Sequence, residues 1–441
     1  MSSNHITTDV HKLIAHFLQE NNYPETLKQF ESEHGSPIEP HKLIDESLTQ
    51  IIKDRINYNN LLPTQFESQI KLDDGYKDDQ IVEIIKNQFR HWISPSPIHR
   101  EKLIDLDGLV ISSSYSNGLV YLSTSSCKVY VLEEGGNLFI HHTKFPVVIK
   151  KIIPLDGGLL LFVGMNGMFY LSELKDEYEL NIISEFPAHT RLIVDAKYIK
   201  FNNVDYIITL GWDYYLRLIK LEDKQFTILS EIKLTQQGTC LDVINYENQL
   251  VIVLGKLENT LLDVYTTTKE DNQLKLLYKI SLNDAEFTSS SFSPRFITIQ
   301  YIHNTIPMIA IATSHEPYMR LIIVSLKEID QIQKDNQDEP PIMRNQIIKN
   351  INTLSPQDKY SQPIIAWRLI NPNSPNHPKN NGIWIMGDDG IIRGVDLLND
   401  KLIIISDAHQ GKIKEFITYF NQDFNERLIS CGVDREVTIW K

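Results

Sequence analysis

The sequence predicts a mainly β fold: a ring of seven four-stranded sheets, a propeller, preceded by a small α-helical hairpin and linker helices. Three observations predict it. A strand–turn–strand unit recurs seven times after about residue 100, near the spacing of a propeller blade. Residues 8–35 carry apolar side chains at three-and-four spacing, broken by Asn22 and Pro24. The 441 residues are 42% hydrophobic and 23% charged, an ordinary globular composition with room for one large repeat domain and a small one.

The hairpin comes first. Thr8 or Asp9 can cap a helix running to about Asn21, with Val10, Leu13, Ile14, Phe17 and Leu18 on one stripe. Asn22 tolerates the left-handed conformation that ends a helix. Tyr23 precedes Pro24, a favoured first helical residue, and a second short helix turns Leu27 and Phe30 inward until Gly35 and Pro37 stop it. Fewer than ~40 residues rarely bury enough surface to stand alone. The apolar face therefore needs cover, either from an identical hairpin across a two-fold axis or from the rest of its own chain.

Leu13-Ile14, Phe17-Leu18, Asn22-Tyr23, Thr26-Leu27, Phe30 and Glu33 together resemble the LisH motif, a dimerising helical hairpin, over about residues 8–35. Asn22 stands where that family usually has Gly, and Leu27 where it usually has Ala. The resemblance implies a homodimer through Val10, Leu13, Ile14, Phe17, Leu18, Tyr23, Leu27 and Phe30.

Residues 39–97 read as a helical linker region. Helices are expected over His41–Tyr58 and Ile81–Trp92, with an acidic solvated loop containing Asp73, Asp74, Asp78 and Asp79 between them. That loop lacks the alternating ligands and terminal Glu of a calcium site. Ser94-Pro95-Ser96-Pro97 is an extended boundary to the second domain, expected over 98–441, and doubles as a candidate site for proline-directed phosphorylation.

From there β-branched and aromatic runs alternate with tight turns. The clearest copies are Ile207–Ile219, Ile383–Val395 and Leu428–Trp440; weaker ones are Val120–Leu132, Leu160–Ser172, Leu250–Tyr265 and Ile309–Ile322. Their turns fall near Ser126, Asn166, Asp213, Glu258, Glu316, Asp389 and Asp434, at intervals of 40, 47, 45, 58, 73 and 45 residues. The spacing counts seven blades and leaves six or eight open. Polar stretches at 331–363 and 371–381 are expected as surface insertions that lengthen two intervals. With the chain ending at Lys441, one residue after Trp440, the last blade needs an outer strand, and residues 100–106 are expected to supply it and close the ring.

These copies resemble WD repeats, in which each blade is locked by a turn Asp, a preceding His, a strand Ser or Thr, and a Trp. The resemblance assigns structural, blade-locking roles to His409, Ser430, Asp434 and Trp440 in the last blade. In the third it assigns them to His189, Thr209 and Asp213, with Ile219 in place of Trp. The sixth keeps Asp389 and shows no matching His.

Lys plus Arg number 43 against 57 for Asp plus Glu, a net charge of −14 without a long basic run, so nucleic acid is not an expected partner. Cys127, Cys240 and Cys431 are too scattered for a metal knuckle and suit a reducing compartment. No signal-peptide core or membrane-length apolar stretch is read, so a nuclear or cytoplasmic location is expected. Phosphate loops, nucleophile elbows and zinc motifs are absent from the sequence. His141-His142 points to opposite strand faces, and His16 with Glu20 makes no zinc site, so no catalytic residue, cofactor or metal is expected.

Resemblance to LisH–WD-repeat proteins implies a non-enzymatic dimeric scaffold or adaptor. Its propeller would bind protein or peptide partners in a multisubunit complex of the corepressor, ubiquitin-ligase or RNA-processing type. Two other readings stay open: an enzyme with its active site at the propeller channel, and an acidic binder of basic tails such as histones.

Overall fold

The computed structural model describes residues 3–38, 47–50, 52–53, 89, 91–92, 96–103, 106–133, 141–175, 178–268, 272–283, 292–302, 306–327, 329, 340–344, 346–369 and 382–441. The chain divides into two compact units, residues 1–79 and 80–441. Among the described residues no helix is long and apolar enough to cross a membrane.

The first unit holds two helices, Ser3–Glu20 and Pro24–His34. The expected cap at Thr8 or Asp9 is a correction. The first helix runs on through both to Ser3, because Ser and Asn one turn upstream start a helix equally well. Asn22 takes the left-handed conformation, φ 59°, and Pro24 opens the second helix. Gly35 ends it at φ 80°, its N–H bonded to the Glu31 carbonyl. Of the helix expected over 41–58, residues 48–50 and 52–53 are helical and most others lie outside the described residues, as does the acidic loop.

The second unit is a seven-bladed propeller. Blade one comprises Val110–Ser116, Leu119–Thr124, Lys128–Glu133 and His141–Lys144. Blade two comprises Ile149–Pro154, Leu159–Gly164, Met168–Leu174 and Leu180–Pro187, and blade three Ile193–Phe201, Val204–Gly211, Tyr215–Glu222 and Gln225–Lys233. Blade four follows with Gly238–Tyr246, Gln249–Lys256, Leu261–Thr267 and Leu274–Ser281, and blade five with Pro294–Ile302, Ile306–Thr313, Tyr318–Ser325 and Ile347–Pro356. Blade six is Ile365–Trp367, Gly382–Met386, Ile391–Asp396 and Lys401–Asp407. Blade seven is Ile413–Phe420, Glu426–Gly432 and Val437–Trp440, and its outer strand is Arg100–Leu103, paired antiparallel as Arg100 with Trp440 and Leu103 with Val437. Every turn position read from the repeats lies between the second and third strands of its blade.

Burial follows the same order. The described residues form seven apolar clusters, each shared by two neighbouring blades, including the pair formed by blades seven and one. Each sheet is thus apolar on both faces, and a ring is the arrangement that leaves neither face bare.

One stretch expected as an insertion is corrected. Residues 331–363 contain the ten-residue outer strand of blade five and Ile342–Met343, which adds parallel to the outer strand of blade four. The alternation in Ile347–Pro356 is masked by Asn and Lys on its outward side, so polar composition reads as loop. The other stretch, 371–381, lies outside the described residues.

Of the helix expected over 81–92, only Phe89, His91 and Trp92 are described, and none is helical. Phe89 is fully buried in the cluster between blades five and six, whereas Trp92 packs in the one between six and seven. One helical stripe cannot serve two such sites. The Trp92 indole meets Trp384 edge-on at 4.7 Å, lies under the Arg368 guanidinium at 4.3 Å and donates to Ser96 Oγ at 2.7 Å. Glycine makes the slot: a Cβ on Gly382 would stand 2.2 Å from the indole, and one on Gly394 2.9 Å.

Candidate functional site

The locks come from turn chemistry. In blade three, His189 Nδ1 donates to Asp213 at 2.8 Å and Nε2 accepts from the Thr209 hydroxyl at 2.8 Å. Asp213 also accepts from the Thr190 and Tyr215 N–H groups. In blade seven, His409 stands 3.1 Å from Asp434 and 2.8 Å from Ser430, whose oxygen accepts the Trp440 indole N–H at 2.9 Å. Burial lowers the pKa of both imidazoles against the pull of their Asp partners, so they are neutral near pH 7. Burial pushes Asp213 and Asp434 upward, but hydrogen bonds from His and backbone N–H outweigh it and hold both carboxyls below their usual range. His409, Asp434 and Glu436 lie close enough to share a metal ion. Their atoms are already engaged: Glu436 takes Arg100 at 2.9 Å and Lys102 at 2.5 Å, and Asp434 takes His409, Gln410 N–H and Glu436 N–H.

Blades without the full set use other pairs. Asp389 is held by Arg393 through two contacts, 3.0 and 2.6 Å, in place of a His. Blade four buries Lys256 against Asp263 at 2.6 Å, and blade five sets Thr313 against His315 at 2.7 Å.

A second device escaped the repeat pattern. The inner strands of blades one, two, three, four, five and seven each carry a bulge near their start. A bulge re-aims the side chain after it. In blades one, three and seven that side chain accepts an N–H from the inner edge of the next blade: Ser112 from Ile152 at 3.2 Å, Asp195 from Leu241 at 3.3 Å and Glu415 from Ser113 at 3.0 Å. Asp242 serves Ile299 two residues further along, at 2.7 Å. Lys151 pairs with Asp195 at 2.5 Å and Lys197 with Asp242 at 3.1 Å. Asp195, Asp242, Glu415, Lys151 and Lys197 are therefore spent on holding blades together, since open strand edges need partners. The readable signal was an apolar residue followed two positions later by a polar one, as in Ile193/Asp195 and Ile413/Glu415.

The face that carries the turns between second and third strands has a different character. Met165, Trp212 and Leu257 occupy one turn position in blades two, three and four, each N–H bonded to the loop before its blade. All three are exposed, at 41%, 53% and 37%, and Tyr214 beside them is 40% exposed. Arg191, exposed, lays its backbone carbonyl against Gly167 of the blade-two turn.

On the hairpin, Val10 and Tyr23 are exposed, while Leu13, Ile14, Phe17, Leu18, Leu27 and Phe30 are half-buried. Ala15, which the apolar stripe did not single out, is the fully buried position of the first helix among its described side chains.

An uncharacterized Saccharomyces cerevisiae protein, YGR117C, is similar to this chain: 28% identical over 431 residues, covering 88% of this chain and 87% of that protein. Family models match residues 8–39 as the LisH domain and residues 76–441 as the beta-propeller domain of one family. The chain belongs to the UCP007778 family, with a LisH domain at its N-terminus and a beta-propeller after it.

Proposed function

We propose that this protein is a non-catalytic scaffold, paired through its LisH hairpin, whose propeller docks protein partners on the turn face of blades two to four. The observation that carries the reading is the exposed row of Met165, Trp212 and Leu257, with Tyr214. Soluble proteins seldom expose several large apolar side chains at equivalent positions on one face that bind nothing, and Trp and Tyr dominate the energetics of protein interfaces. The channel supports the non-catalytic part: Asp195, Asp242 and Glu415 are committed to neighbouring blades. The half-buried hairpin stripe supports pairing, because two copies would cover what one leaves open. Two discs on one dimer then raise avidity for a divalent partner.

The test compares affinity-purified complexes of the intact protein with those of a Trp212→Glu/Leu257→Glu variant. A specific set of proteins should be lost while the melting temperature stays within a degree or two. An identical set in both purifications rejects the turn face. Separately, Phe17→Asp/Phe30→Asp should reduce the sedimenting mass; an undiminished mass rejects the hairpin as a pairing element.

A further inference from the structure

We propose that the outer strand of blade six, Lys401–Asp407, is a second self-association surface, pairing antiparallel with the same strand of another copy about a two-fold axis at Ile404. The strand reads Lys-Leu-Ile-Ile-Ile-Ser-Asp, and its side chains alternate exposed and half-buried along all seven positions. The alternation runs through the register shift that leaves Ile403 outside the ladder to the third strand. The exposed set is Lys401, Ile403, Ile405 and Asp407, with Ile403 at 42% and Ile405 at 63%.

Exposed strand edges are templates for another strand, and proteins normally blunt them with charge or cover. Blades three, four and seven do so here. Blade seven presents Arg100, Glu101 and Lys102; blade three presents Gln225, Thr227, Glu231 and Lys233 around one isoleucine. Blade four is covered by Ile342–Met343, so an outer edge of this propeller does accept an added strand. Among the described residues, blade six alone sets two exposed isoleucines on alternate positions of an outer strand.

The pattern is self-complementary. Antiparallel pairing about Ile404 puts Lys401 opposite Asp407 and Ile403 opposite Ile405, on the same face, twice over. Directly opposed residues of antiparallel strands touch, and both opposite charges and β-branched pairs stabilise such contacts. A parallel pairing in register would set Lys401 against Lys401 and Asp407 against Asp407. The occupant that fits is therefore a second copy of this chain, approached through an isologous contact.

The experiment follows mass against concentration for four full-length proteins: unaltered, Phe17→Asp/Phe30→Asp, Ile403→Lys/Ile405→Lys, and all four changes together. The hairpin variant should still associate as concentration rises, and adding the strand changes should weaken that association by about tenfold or more. Charge reversal then checks register in the hairpin-variant background. Lys401→Asp alone and Asp407→Lys alone should each weaken association, and the two together should restore it. A hairpin variant that is monomeric at every concentration overturns the strand surface while leaving the hairpin reading intact. Association unaffected by the lysine changes, or not restored by the double reversal, overturns it as well.

Discussion

Glu415, on the inner strand of blade seven, accepts both the backbone N–H and the hydroxyl of Ser113 on blade one, at 3.0 and 3.1 Å. The carboxylate bridges the seam where the ring closes on itself, opposite in blade position to the strand that closes it from outside. Asp195 does the same between blades three and four. The difference lies in charge: Asp195 pairs directly with Lys151, whereas half-buried Glu415 is bonded by the neutral groups of Ser113 and feels Lys151 only through space, so desolvation wins and pushes its pKa up to about 7.

That shift makes stability depend on pH with a definite sign. A carboxyl whose folded pKa lies above its unfolded one favours the folded state when protonated. The contribution is complete below about 4.5 and is lost as pH rises through 7. Glu415→Gln keeps an oxygen for Ser113 and removes the charge, so it should raise the melting temperature by a few degrees at pH 8 and not at pH 4.5. The imidazoles run the other way. With pKa values below the usual 6.5, His189 and His409 contribute stability above that value and lose it as pH falls through their folded pKa. Melting curves from pH 4 to 9 should therefore lose only their alkaline limb in the Gln variant. An unchanged alkaline limb would show that the seam carboxyl does not set it.

Asp195 offers the complementary case. Burial pushes its pKa up, but Lys151 and Lys197 outweigh that and hold the carboxyl below its usual range. Asp195→Ala leaves the Leu241 N–H unmet and strands Lys151. Because both side chains keep some solvent, the cost should be about 2 kcal/mol, less than for a fully buried pair. Asp195→Asn restores an acceptor for Leu241 and should recover roughly half of it. Equilibrium denaturation decides; equal losses for Ala and Asn would mean that charge alone matters there.

What the sequence disclosed and what it hid divide along physical lines. Seven turns were legible because a tight turn needs particular residues at particular places, and Asp213 and Asp434 stand in them. The closing strand was legible from the missing partner of Val437–Trp440. Glu415 and Asp195 were not, because their role is set by a neighbouring blade, 302 and 46 residues away in the chain, and the apolar-to-polar spacing at their bulges recurs too often in strands to single them out. Phe89 and Trp92 misled for a related reason: their i, i+3 spacing imitates a helix, while their burial sites lie on opposite sides of blade six.

Closure by Arg100–Leu103 predicts a large effect from a small deletion. Backbone bonds extend the pairing to His99 and Lys441 in both directions, at 3.0 and 2.9 Å. Removing residues 98–107 exposes the edge of Val437–Trp440 and takes Arg100 and Lys102 from Glu436. The melting temperature should fall by about 5 °C or more, and amide exchange should accelerate first in Val437–Trp440. A variant that melts like the intact chain would mean that three strands suffice for blade seven.

The Trp92 slot predicts coupling between residues 290 positions apart in sequence. Gly382→Ala places a methyl 2.2 Å from the indole and 3.0 Å from the Val395 carbonyl, so something must move. Overpacking of this kind costs about 1–3 kcal/mol. Trp92→Ala removes the indole from Trp384 and Arg368 and should cost a similar amount. Neither number is diagnostic by itself, since both changes disturb a packed site. The double variant is: with the ring gone, the alanine methyl fills part of the space it vacated, and the combined loss should fall short of the sum by at least about 1 kcal/mol. Strict additivity in denaturant would show that Trp92 does not occupy the Gly382 slot in solution.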